Sequence, residues 1–267
     1  MSTVTSTVQA GDARRLTRSL LVPAVGAGLL GGAAFLAVMM AVMGADGMGY
    51  ASPVSLGLPA FVYTIRPPAS MFPQLMGAMG IHLPASMMGA IANGSMSPAM
   101  MQQKLGPMLM SMHLPASTVS AMGQLMSGHA TNAQLAGLMQ QMTPSARASV
   151  MQHMPVLTSH VVAGSGLHFA FAAFLGVVFV GLITAAAWFK VPGLRTSAGI
   201  VGAGVIGGAL LYVVMRWVLL PPTNPLMALV PQTPYFLAHL LFGLIVGSVL
   251  ALALRRRTVR AALPAVD

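Results

Sequence analysis

The chain has 267 residues, 56% of them hydrophobic and only 6% charged. A soluble domain carries about one-quarter charged residues, so the composition points to a lipid environment. There is no Cys, and Asp12, Asp46 and Asp267 are the only acidic side chains, which excludes disulfides, thiolate metal sites, cysteine nucleophiles and carboxylate-bridged metal pairs. The net charge of +10 would raise nucleic acid as a partner for a soluble protein. Here most of the basic residues flank apolar runs, with Arg66, Lys104 and Arg147 spread through a long loop, and no nucleic-acid partner is expected.

Residues 1–19 form a basic tail with Arg14, Arg15 and Arg18. The run Leu20–Met43 follows, and it exceeds the ~7–15 apolar residues of a signal peptide, so it reads as a retained first membrane helix over 20–43. Residues 44–159 form a large insert. Its first part, Gly44–Gly80, holds Pro53, Pro59, Pro67 and Pro68 and reads as an irregular linker. Proline and polar caps then divide the insert into short helices over Pro84–Ala92, Pro98–Met112, Pro115–Met126, Asn132–Gln141 and Pro144–His153. Ser97-Pro98 and Thr143-Pro144 are N-cap and first-turn proline pairs. Residues 160–254 carry three more spans, Val161–Phe189, Ser197–Leu220 and Tyr235–Leu254, before a basic tail at 255–267.

Threading four spans places Arg14, Arg15, Arg18, Lys190, Arg195, Arg255, Arg256, Arg257 and Arg260 on one side. The positive-inside rule makes that side cytoplasmic, with both termini there and the insert outside. The fold class is therefore all-α: an integral four-helix bundle in the cell membrane, with a methionine-rich helical extracytoplasmic insert and the lipid bilayer as its first partner.

Val25-Gly-Ala-Gly-Leu-Leu-Gly-Gly-Ala33 in the first span matches Val201-Gly-Ala-Gly-Val-Ile-Gly-Gly-Ala209 in the third. His168-Phe-Ala-Phe171 with Gly176 matches His239-Leu-Leu-Phe242 with Gly247 in the second and fourth. The bundle reads as a duplicated two-helix hairpin, two parallel copies of one unit. On these residues the spans resemble small bacterial four-helix membrane proteins of unknown function, which have Gly-rich odd helices and a His-x-x-Phe/Tyr-Gly type even helix. The resemblance covers the helices alone and implies a fold, with no activity to carry over.

Candidate chemistry sits at one end of the topology. Eighteen of the 24 methionines lie in the insert, and all seven histidines fall outside or in the outer leaflet. Thioether sulfur suits Cu(I) and needs no deprotonation, so Met108, Met110, Met112 and His113 in one cluster, and Met151, His153 and Met154 in another, are candidate ligands. The competing reading is packing: Met101, Leu105, Met108 and Met112 form a helical stripe, and Met fills irregular cores. His168 and His239 lie at similar depth and suit copper or the iron of haem b, or else make interhelical hydrogen bonds. Asp46 and Arg216, near the outer ends of the matching odd helices, form a candidate ion pair, against snorkelling of Arg216 to the interface. No Ser-His-Asp set, P-loop or dinucleotide fingerprint is present, which reads against an enzyme. Three functions stay open: copper or other soft-metal binding, a non-catalytic or assembly subunit of a larger membrane complex, and a bis-His haem or quinone-linked carrier.

Overall fold

The computed structural model describes residues 4–262 apart from 62, 66, 69–70, 94, 112–113, 128, 190, 192 and 195. Met112 and His113 therefore lie outside the described residues. The described chain is helical and contains four helices long and apolar enough to cross a membrane, over Leu20–Ala45, Thr158–Ala186, Ser197–Thr223 and Gln232–Arg256. It divides into two compact units, a bundle unit (1–38, 166–215 and 232–267) and an insert unit (39–165 and 216–231).

The spans belong to α1 (Val4–Ala45), α8 (Thr158–Trp188), α9 (Ser197–Val213) and α11 (Gln232–Ala262). Val22 and Leu30 of α1, Phe174 and Leu182 of α8, Ile206 and Leu210 of α9, and Leu237 and Leu252 of α11 are exposed. Large apolar side chains on all four helices suit contact with lipid, where water would make such a surface a liability. Inside the bundle unit the residues are small or branched: Ala24, Ala27, Ala172, Val180, Ile200, Val246 and Ala251 are buried with Leu20, Phe242 and Leu250.

Small residues let the backbones approach, and close packing is what holds helices together in lipid. A Cβ on Gly28 would run into the Ala172 carbonyl, and one on Gly176 would lie 3.1 Å from Gly28 Cα. In the other pair of helices, a Cβ on Gly204 would meet the Gly243 carbonyl and lie 3.0 Å from Gly247 Cα. Both helix pairs, α1 with α8 and α9 with α11, thus cross where glycine leaves no side chain in the way.

The insert unit is built from α2 (Phe72–Ala78), α3 (Ala85–Ala92), α4 (Pro98–Ser111), α5 (Ala116–Met126), α6 (Asn132–Gln140) and α7 (Pro144–His153). Its boundaries have visible local causes. Ser97 Oγ accepts from Met100 N at 3.2 Å, Thr143 Oγ1 accepts from Ala146 N at 3.3 Å, and Thr131 with Gln134 forms a capping box. α2 ends where Gly80 takes φ +75 and Ile81 N bonds back to Met76 O at 2.8 Å, a left-handed closure that favours glycine.

Two segments depart from the sequence-based expectation. The linker 44–80 contains a π-helical turn (Pro53–Gly57), a 3-10 turn (Pro59–Phe61) and α2, because prolines that look like breakers sit at helix starts, where no amide hydrogen is needed. Asn132 fixes part of it: Nδ2 donates to Ala60 O and Tyr63 O at 3.1 and 2.9 Å, and Oδ1 accepts from Ile65 N at 2.7 Å. The second departure is at the end of the third span. The span finishes as a π-helical stretch (Val214–Leu219) and α10 (Leu220–Thr223), and the 3-10 turn that follows it (Pro225–Leu229) sends Leu226 and Leu229 into the core of the insert unit. Asn224 holds it there, its Nδ2 donating to Gly57 O at 2.6 Å.

That core is rich in thioethers. Among the described residues Met43, Met48, Met71, Met76, Met96, Met122, Met126, Met139, Met142, Met151 and Met154 are buried in it, beside Leu75, Ile91, Leu105, Leu109, Leu135 and Leu138.

Candidate functional site

In the bundle unit the two spanning histidines take part in one aromatic cluster. Phe35 of α1 lies with its ring centroid 5.7 Å from His168 and 4.9 Å from His239, edge-on to the latter. Tyr235 stands one helical turn before His239, with the rings 4.4 Å apart, and Tyr212 of α9 reaches Tyr235 and His239 at 5.8 Å each. Rings from α1 and α9 and from its own helix thus surround His239, which is buried.

Each imidazole is oriented by a backbone carbonyl. His168 Nε2–H donates to Gly32 O at 2.9 Å, tying α8 to α1 close to where Gly28 meets Ala172. His239 Nδ1–H donates to Tyr235 O at 2.8 Å, inside its own helix. A carbonyl only accepts, so in the neutral imidazoles the lone pair falls on Nδ1 of His168 and on Nε2 of His239. Such a carbonyl bond is also how ligating histidines are held in place. Among the described residues no group of three His or Asp side chains gathers as a metal site.

Of the methionine clusters read from the sequence, Met112 and His113 lie outside the described residues, and the other members differ in exposure. Met108 packs partly buried against the insert core, whereas Met110 is 69% exposed. Positions i and i+2 of a helix point to different sides, so these two thioethers do not converge on one ion from α4. Met151 and Met154 are both buried in the core, while His153 is exposed and its Nδ1–H donates to Ser149 O at 2.7 Å. Asp46 is exposed just beyond α1, and Arg216 donates from Nη1 to Met227 O at 3.0 Å.

What the sequence reading missed is which thioethers become neighbours. Met122 and Met126 of α5, Met139 of α6 and Met142 just after it share one core. Their i, i+4 spacing on α5 was a signal for a buried face, not for a ligand set. Comparison with protein-family models, with curated proteins and with solved structures finds no match to this chain.

Proposed function

We propose that the chain is a multi-pass membrane protein that binds a soft metal ion, Cu(I) foremost, through the thioethers of its insert unit, held on the extracytoplasmic side. One observation carries this reading: eleven methionines lie among the buried residues of the insert core, and none lies in the core of the bundle unit. Packing in water accounts for large apolar side chains but not for methionine in place of leucine, since the two exchange at a cost under about 1.5 kcal/mol. Sulfur is the chemical difference between them. It is a neutral ligand suited to Cu(I), and a dry core removes competing oxygen donors. The outside placement is supported by the basic residues, which collect on the opposite side of the spans.

The test is elemental analysis of the detergent-solubilised protein after anaerobic Cu(I) loading and desalting. Wild type retains about one copper per chain or more, and a variant with Met110, Met122, Met126, Met139 and Met142 changed to Leu retains only the detergent blank. A wild type that retains none, or a variant that retains as much, ends the reading.

A second reading has its own observation. His168 and His239 each keep one ring nitrogen outside their backbone bond and touch the same Phe35 ring, which supports a bis-His haem b or a quinone-linked carrier as the alternative. A Soret band in the purified protein, lost in His239→Leu, is its signature. The duplicated hairpin is proposed on the same footing. Gly28 meets Ala172 and Gly176 just as Gly204 meets Gly243 and Gly247, and these are the residues that the repeat aligns.

A further inference from the structure

A groove of about 400 Å³ opens between α4 and α5 in the insert unit. Met110 lines it from α4, and Met126 lines it from α5. Met110 is the most exposed methionine described, whereas Met126 is buried and belongs to the core. Ser127 also lines it, and the His129 imidazole has its Nδ1 3.2 Å from Ser127 Oγ. Thus one exposed thioether and one in the core border the same opening, and an imidazole contacts one of its lining residues. The glycines of the groove, Gly106 and Gly123, have nothing within 4 Å of where a Cβ would project. They leave open space there without being required by packing.

We infer that this groove is the loading site of the insert unit, where a soft monovalent ion first binds through Met110 and Met126, with His129 as a third donor. The inference rests on the soft-metal reading above and adds to it the place of entry and the ligands. Cu(I) accepts thioether and imidazole together, and binding to them changes no oxidation state. The ion exchanges the ligands it arrives with for those of the groove. Two or three protein donors leave it a position open to an incoming or outgoing ligand, and the volume of the groove admits that ligand. A donor set that reaches from exposed Met110 to buried Met126 leads toward the sulfur-rich core, whereas Met88 and Met100 are exposed without lining the groove.

The experiment is a titration of the full-length protein in detergent with Ag(I), a redox-stable probe for Cu(I), in chloride-free buffer by equilibrium dialysis and elemental analysis. Met110→Leu removes one donor, and Gly123→Leu fills the groove without touching a donor. Met88→Leu is the control for a surface thioether elsewhere. The first two variants each weaken the first-bound Ag(I) by about 10-fold or more, while Met88→Leu matches wild type. Thermal unfolding checks that each variant is folded, and Gly106→Leu fills the groove from the other helix if Gly123→Leu is not. If wild type binds Ag(I) and the donor and filling variants bind it equally well, the groove is not the loading site, though the soft-metal reading stands. If wild type binds none, both are overturned together.

Discussion

The bundle core and the insert core solve different problems with different side chains. In the bundle unit, Ala24, Ala27, Ala172 and the glycines at both crossings bring backbones together, as suits a solvent of lipid tails that gives buried apolar surface no advantage. In the insert unit, Leu105, Leu109, Leu135 and Leu138 are almost fully buried, as suits a core formed by removing apolar surface from water. That difference in solvent explains small against large. It does not explain eleven methionines, because a flexible thioether specifies a core less well than leucine does. The comparison therefore sets a packing requirement shared with other helical proteins apart from the methionine content, for which soft-metal binding is the proposed reason.

The largest effect is expected where the bundle has no slack. Gly204→Leu forces a side chain into the Gly243 carbonyl and Gly247, and should abolish the monodisperse peak in detergent size-exclusion chromatography. The contrasting change in the insert, Gly89→Ala, adds a Cβ that meets nothing within 4 Å and should leave that peak unchanged. Next comes Leu109→Ala, which empties a fully buried position of the insert core and should cost about 2–5 kcal/mol in denaturant unfolding. Met122→Leu at another buried position of the same core should cost less than about 1.5 kcal/mol, so the two together separate volume from sulfur. Asn132→Ala leaves the Ile65 amide and the Ala60 and Tyr63 carbonyls without their partner, and should cost about 1–3 kcal/mol by the same measurement. The smallest change is His168→Leu, which loses one bond to the Gly32 carbonyl and should lower stability by about 1 kcal/mol.

Local signals carried much of the fold. The caps Ser97 and Thr143, each followed by proline, sit at the starts of α4 and α7, and four hydrophobic runs correspond to the four long helices. Pairing between elements was not legible. Nothing in Pro221–Pro231 announces that Leu226 and Leu229 enter the core of a unit whose other helices precede residue 166. The same limit applies to the ligands. Met108-Leu-Met110 looks like a cluster because its residues are adjacent in sequence, yet the helix turns them apart. Met110 and Met126 share a groove because α4 packs against α5, a tertiary fact with no trace in spacing. His168 and His239 were visible as repeat partners, whereas the Phe35 ring that touches both was not.

The chain has no Cys, so a single introduced thiol tests the topology without background. Lys104→Cys should react with a membrane-impermeant maleimide on intact cells, and labelling only after lysis would put the insert in the cytoplasm. The most direct measurement of the central claim is X-ray absorption at the copper edge of the Cu(I)-loaded, full-length protein. A first shell dominated by sulfur is the expected result, since thioether is the only sulfur ligand this chain can offer. A shell of nitrogen and oxygen alone would contradict it, and would return the methionines to a purely packing role.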